Sequence, residues 1–286
     1  MMVSERIKIK KNVDLDLLTT LGIGGKANYF FLVGTVSDLS KLLKETGPRP
    51  YILGNGSNLL IKDGLIKKPV IKLVGKFGQV RKKGNVLEVG SSILLSFLIK
   101  YFLKEGLGGL ENLAGIPASI GGMLVCGASS FQANIFDYLK EVEVMDFKGK
   151  LYKIKKDEIN YGYRYSSLSG RIVVGASFSF PGNKSKSKEK IKNIIQKRIA
   201  LQDFSLPSCG SVFKNPSQAA AGNLIEQVGL KGKRRGGLKI SDKHANFIVN
   251  LGKGSFQDAD YLIQNTKDIV YRKKGIVLEE EIQRWS

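Results

Sequence analysis

The sequence predicts a mixed α/β architecture divided between two domains. Short apolar, β-rich runs alternate with stretches of helical periodicity along most of the chain. A polar, turn-forming segment, Pro181-Gly182-Asn183-Lys184-Ser185-Lys186-Ser187-Lys188, interrupts that alternation once. The length, 286 residues at 42% hydrophobic and 25% charged composition, suits two ordinary cores better than one. The expected domains are 1–185, built of two α/β lobes (1–72 and 73–185), and 186–286.

Residues 29–33, 51–53, 70–74 and 86–89 are apolar, bounded by turn formers, and read as strands. Residues 37–45 place Leu39, Leu42 and Leu43 on one helical face, and residues 92–105 read as a buried helix. Residues 141–147 and 151–154, joined by Lys148-Gly149-Lys150, predict a hairpin, and residues 171–180 another strand. Beyond the linker come a basic helix at 189–201, helices at 217–228 and 258–273, a strand at 246–250 and a β-rich tail at 276–285.

Forty-six Lys+Arg face 25 Asp+Glu, a formal charge of +21, and there are one histidine and two cysteines. A structural zinc site or iron–sulfur cluster needs more ligands than these. The isolated thiols of Cys126 and Cys209 point to a reducing compartment. The first 18 residues alternate charged and apolar side chains without the apolar core of a signal peptide. The most apolar run, 93–103, carries Lys100 and is too short to span a bilayer. The expectation is a soluble cytoplasmic protein, without a membrane partner.

Charge alone makes a nucleic-acid-binding protein a rival reading. The basic residues cluster at 49–87, 184–198 and 231–243, mostly in turns, and no RNA-binding aromatic motif, zinc-finger pattern or basic zipper accompanies them. A solvated basic surface that attracts phosphorylated small molecules explains them better.

Glycine is the other surplus, 33 residues against an expected 7%, or about 20. Leu53-Gly54-Asn55-Gly56-Ser57-Asn58-Leu59-Leu60 follows a predicted strand, so its backbone could approach an anion or form a plain turn. It fails as a dinucleotide fingerprint, because Leu59 occupies the third glycine position and no acid occurs between Gly64 and Leu87. Gly115-Ile116-Pro117-Ala118-Ser119-Ile120-Gly121-Gly122 pairs a stiff end with a permissive one, which suits a flat ligand or a structural turn. Two such loops without metal ligands suggest a nucleotide-containing organic cofactor.

These loops, with Thr20-Leu21-Gly22-Ile23-Gly24-Gly25-Lys26-Ala27, Tyr163-Arg164-Tyr165-Ser166, Pro207-Ser208-Cys209-Gly210-Ser211-Val212-Phe213-Lys214-Asn215-Pro216 and residues 237–250 and 278–282, occur in one order. As an ordered set they closely resemble the UDP-N-acetylenolpyruvoylglucosamine reductase (MurB) family over essentially the whole chain. The resemblance implies an α+β fold, with a vanillyl-alcohol-oxidase/PCMH-type FAD-binding domain and a smaller α/β substrate domain. It implies reduction of UDP-N-acetylglucosamine enolpyruvate to UDP-N-acetylmuramate by NADPH through FAD, in peptidoglycan precursor synthesis, by a monomer. Another flavin oxidoreductase on the same fold is the neighbouring alternative.

Carried over by position, the resemblance implies Arg164, Ser211 and Glu281 as catalytic residues. Gly54, Asn55, Gly56, Ser57, Asn58, Leu59, Gly115, Ile116, Pro117, Ser119, Ile120, Gly121 and Gly122 are implied for FAD, and Tyr163, Asn215 and His244 for substrate. A guanidinium suits the substrate carboxylate, and a hydroxyl can protonate a strongly basic enolate in a dry site. Without the family, Arg164 reads as a stacked structural residue, Ser211 as a turn hydroxyl, Glu281 as solvated and His244 as a core histidine. Glu281 is chosen over Glu279 and Glu280 by its Leu278-x-x-Glu281-Ile282 spacing.

The departures are Gly127-Ala128-Ser129-Ser130-Phe131-Gln132, where the family often has Asn-Ala-Gly-Ala-Tyr-Gly, and Leu201 and Gln283, where it often has cations. Lys214 and residues 231–235 are candidates to compensate. The insertion carrying a substrate-gating Tyr in one branch of the family is absent by this reading.

Overall fold

A computed structural model describes residues 7–46, 49–180 and 187–286. The core of the expected linker, residues 181–186, lies outside them. The chain divides into two compact units. The first holds the described residues up to Lys11 together with Tyr29–Asn55 and Lys68–Lys197; the second holds Asn12–Asn28, Gly56–Lys67 and Arg198–Ser286. The units thus interleave along the sequence, whereas the sequence reading drew one boundary near 185. Burial explains the interleaving, because Leu21, Ile23 and Leu60 share a core with Val212, Ile225, Leu262 and Ile282.

The first unit has two sheets. In one, the strand Val70–Leu73 lies between Lys26–Val33 and Tyr51–Leu53, parallel to both. Helix α1 (Val36–Glu45) buries Leu39, Leu42 and Leu43 against Phe31, Val33 and Ile71. Its N-terminus is held by Thr35, whose hydroxyl accepts from the Asp38 amide.

The other sheet is antiparallel, in the order Leu151–Lys155, Leu139–Met145, Ile172–Ser179, Val86–Gly90, Val80–Lys83. Helices α2 (Leu95–Glu105) and α3 (Ile120–Cys126) pack on it through Leu95, Leu98, Phe102, Met123 and Leu124. The hairpin strand ends at Met145 rather than at 147, because the Asp146 carboxylate accepts from the amides of Lys148 and Lys150 and starts the turn there. The long apolar stretch becomes helical only at Leu95, with Leu94 extended at its N-cap.

Helix α4 (Ser187–Leu201) begins two residues before the predicted 189. The second unit carries an antiparallel sheet in the order Ser208–Ser211, Phe247–Asn250, Leu238–Ile240, Arg234–Arg235. Helices α5 (Ala221–Gln227) and α6 (Phe256–Lys274) cover it, α6 opening with a Ser255–Asp258 capping box. Helix α5 starts at Ala221 rather than 217, since the Asn215 side chain accepts from the Ala221 amide and defines the start.

The tail is mostly not β structure, contrary to expectation. Only Gln283–Trp285 forms a strand, parallel to Leu59–Ile61, with one isolated bridge between Phe213 and Glu280. Backbone pairing around residues 279–281 is confined to that bridge, where the Lys214 amide donates to Glu279 O and the Glu281 amide to Val212 O. The mixture of a parallel sheet, antiparallel sheets and flanking helices is the α+β class expected.

Candidate active site

The two glycine-rich loops meet in the first unit. The strand Tyr51–Leu53 ends at Gly54, and Asn55 Nδ2 then donates to the Pro117 carbonyl at 2.6 Å. A Cβ on Gly54 would lie 2.7 Å from Ser119 Oγ, so the bare backbone is what lets the second loop approach. Lys72, opposite Leu53 in the parallel ladder, reaches the Gly54 carbonyl at 3.5 Å. Burial holds its pKa below the usual lysine value.

Ser119 caps α3, accepting from the Gly122 amide at 3.4 Å. The Ile120 and Gly121 amides are spent on the carbonyls of Ile93 and Ser91, both at 2.8 Å. Gly115, at φ 87°, turns the chain into this segment. Ser91 Oγ, buried beside Gly121, has no hydrogen-bond partner. A cradle closed by glycine approach, with a half-buried lysine beneath one loop and an orphaned hydroxyl by the other, fits a diphosphate-containing nucleotide.

Gly56, Ser57, Asn58 and Leu59 belong to the second unit. Gly56 is left-handed at φ 67°, and its carbonyl accepts from the Thr20 amide at 3.1 Å. Thr20 Oγ1 also donates to the Ser208 carbonyl at 2.6 Å, a tie that the sequence reading did not assign although it quoted Thr20. Asn58 Nδ2 donates to the Glu281 carbonyl at 3.1 Å, and the Gln283 amide donates to Asn58 O at 3.0 Å. Leu59 is the buried first residue of its strand.

In the first unit, Arg164 sits at the tip of the Tyr161–Gly162/Tyr165–Ser166 hairpin with φ 54°. Such a conformation is rare for a non-glycine residue and concentrates where function constrains the backbone. Its guanidinium lies 5.1 Å from the Tyr163 ring centroid, and Nη1 donates to Ser129 O at 3.1 Å and to Ser129 Oγ at 3.3 Å. Tyr163 itself is half exposed.

Ser211 ends the strand Ser208–Ser211, and the ladder to Phe247–Asn250 slips between Ser208 and Ser211. The slip is a bulge at Cys209 and Gly210, the latter at φ 76°. The Glu281 amide donates to Val212 O at 2.8 Å, which fixes the acid's backbone beside the same segment.

Three consecutive glutamates are thus separated by their partners. Glu279 pairs with Lys214 at 3.2 Å on the surface. Glu280 is bound by Lys267 and by Arg284 at 2.6 Å; burial pushes its pKa up, but these cations outweigh that and hold it below the usual value. The Glu281 charge is felt by Cys209, whose thiol burial pushes up to about 12, with the Glu281 carboxylate adding to the rise. That thiol stays protonated and inert.

Asn215 caps α5 through its side-chain oxygen, at 3.0 Å from the Ala221 amide. His244 accepts from the Asn246 amide on Nδ1 at 3.2 Å and packs on Phe247. Burial lowers its pKa, with the Lys231 charge contributing, so the ring is neutral with its proton on Nε2. Of the candidate compensating cations, Lys214 pairs with Glu279, Lys231 with Glu226, and Arg235 with Asp258 and the Tyr261 ring.

Comparison with known proteins gives the class first. Residues 28–155 match a family model described as an FAD binding domain, and residues 202–285 match the C-terminal domain of UDP-N-acetylenolpyruvoylglucosamine reductase. The chain is therefore an FAD-binding flavoprotein of the PCMH type with a reductase C-terminal domain. The reductase of that name from Aquifex aeolicus is 39% identical over 280 residues, covering 96% of this chain and 94% of that protein. The one from Clostridioides difficile is 36% identical over 267 residues, covering 91% and 88%. The crystal structure of the Thermus caldophilus enzyme (MurB) superposes with a TM-score of 0.85 at 35% identity, over 98% of this chain and 99% of that one. The chain belongs to the UDP-N-acetylenolpyruvoylglucosamine reductase family.

Proposed function

We propose that Arg164, Ser211 and Glu281 are the catalytic set of this reductase, which converts UDP-N-acetylglucosamine enolpyruvate to UDP-N-acetylmuramate with NADPH and FAD. FAD, when bound, supplies hydride chemistry: electrons from NADPH reach the terminal carbon of the enolpyruvyl double bond. The chain's own residues handle charge and proton. Arg164 meets the substrate carboxylate and stabilises the negative charge that develops on it. The Ser211 hydroxyl gives its proton to the adjacent carbon, which completes saturation of the double bond. Glu281 stabilises or helps protonate that intermediate.

The observation that supports this reading best is the backbone tie between Glu281 and the Ser211 segment. The cradle of Gly54, Asn55, Gly115, Ile116, Pro117, Ser119, Ile120, Gly121 and Gly122, with Gly56, Ser57, Asn58 and Leu59, is assigned to FAD. Tyr163, Asn215 and His244 are assigned to substrate, Asn215 and His244 in addition to the internal bonds they make.

Protein loaded with FAD should oxidise NADPH only when the enolpyruvyl substrate is added, with one product formed per NADPH. Steady NADPH oxidation without that substrate, or with an unrelated sugar as acceptor, would instead identify another flavin oxidoreductase. We assign the enzyme to the cytoplasm, where NADPH and UDP-sugars are made, as a monomer. Among the described residues no helix is long and apolar enough to cross a membrane. Sedimentation at micromolar concentration, in the presence and absence of nucleic acid, checks the monomer and the lack of a nucleic-acid partner.

A further inference from the structure

The short hairpin at Ser129–Asn134 holds Arg164. Ser129 offers two acceptors to one nitrogen: Nη1 lies 3.1 Å from its carbonyl and 3.3 Å from its hydroxyl. A terminal guanidinium nitrogen carries two N–H groups, so both bonds can form at once. Ser129 is itself fixed. It pairs with Asn134 in the short hairpin Ser129–Ser130/Ala133–Asn134, and Asn112 Nδ2 donates to the Phe131 carbonyl at 2.8 Å from outside that hairpin. Its turn residues, Phe131 and Gln132, both have positive φ, 45° and 62°. Two positive-φ residues make a type I′ turn, whose twist suits a tight hairpin although neither residue is the usual Asn or Gly.

We propose that Ser129 is a positioning residue, whose hydroxyl fixes the plane of the Arg164 guanidinium for the substrate carboxylate. The inference rests on the reading that Arg164 meets that carboxylate. A half-buried arginine on a strained turn has rotamer entropy to lose on binding. Two bonds to a rigid residue remove part of that freedom before substrate arrives, and planar bidentate recognition depends on the orientation they set. A glycine or alanine at this position would supply only the carbonyl.

The test compares Ser129→Ala, Ser129→Thr, Arg164→Ala and Arg164→Lys, each with FAD bound, by stopped-flow of the two half-reactions and by melting temperature. Ser129→Ala is expected to slow flavin reoxidation by subsaturating enolpyruvyl substrate about five- to tenfold, the value of one hydrogen bond to a charged group at a half-exposed site. Reduction by NADPH and the melting temperature should not change. Ser129→Thr should recover the rate, and Ser129→Ala should add nothing in the Arg164→Lys background. A loss shared by both half-reactions, or a lowered melting temperature that accounts for it, would show a structural role and overturn the proposal. An unchanged Ser129→Ala beside a crippled Arg164→Ala would overturn it while leaving the Arg164 assignment standing. An active Arg164→Ala would remove the assignment itself, and the proposal with it.

The same hairpin makes a separate stability prediction. Gln132→Gly should relieve a left-handed residue and raise the melting temperature by about 2–4 °C; a fall on scanning calorimetry would mean that the Gln132 side chain holds the turn.

Discussion

Ser211→Ala should slow reoxidation of the reduced flavin by substrate about 10³-fold, the usual worth of a positioned proton donor, while reduction by NADPH stays within about twofold of wild type. The asymmetry follows from where the hydroxyl acts. Electron transfer from NADPH to flavin needs no proton from Ser211, whereas saturation of the substrate double bond needs one at the adjacent carbon. Neither of two other titratable groups of this unit can take over: the Cys209 thiol is buried and pushed up to about 12, and His244 is engaged through Nδ1 with the Asn246 amide. The substitution removes one oxygen from a residue at a strand end, so the bulge that shapes the segment should survive. Single-turnover absorbance of the flavin reads both half-reactions in one preparation. Equal losses in the two would refute the proton-donor role.

Most of the helices and strands of the first unit were legible because their burial follows simple periodicity. The face of Leu39, Leu42 and Leu43 and the run Val70–Leu73 are core in the structure. What periodicity could not disclose was long-range packing. Residues 12–28 and 56–67 group with 198–286 because Leu21, Ile23 and Leu60 are buried there, and no local pattern distinguishes that core from the other. The tail failed for a related reason. Its apolar residues Leu278 and Ile282 are buried individually, without a strand around them.

At the candidate site only the family spacing singles out Glu281; the structure adds that Glu279 pairs with Lys214, and Glu280 with Lys267 and Arg284. Thr20 and Lys72 were missed, one a β-branched residue beside a glycine run and the other a lysine in a parallel strand. Only the fold reveals that both touch the Gly54–Gly56 turn. The charge surplus reads differently too. Several of the cations proposed to replace the family's at Leu201 and Gln283 are tied to Glu279, Glu226 and Asp258, whereas the +21 excess is what remains after all such pairing.

Gly56→Ala should have the largest effect on stability, about 3–5 kcal/mol, combining a left-handed backbone with a core overlap. At φ 67° an alanine is already strained, and its Cβ would overlap the Leu18 carbonyl oxygen and crowd Thr19 Cα. Those atoms are backbone and have little room to retreat. Thr20 is held by both Gly56 O and Ser208 O. Relief would therefore tear the Thr20 tie and with it the approach of the Ser208–Ser211 strand to this loop. Gly54→Ala is the contrasting case. Its added methyl would meet only the Ser119 hydroxyl, at 2.7 Å, and that group can rotate or be removed. The expected outcome is a melting temperature near wild type with FAD bound about tenfold more weakly, because the cradle loses its closest approach. Pairing it with Ser119→Ala should restore part of the affinity. Titration of FAD by fluorescence quenching, beside thermal melting of the apoprotein, separates the two residues. If Gly54→Ala and Gly56→Ala lost stability equally, the loop would be structural throughout, and its assignment to the cofactor would have to be withdrawn.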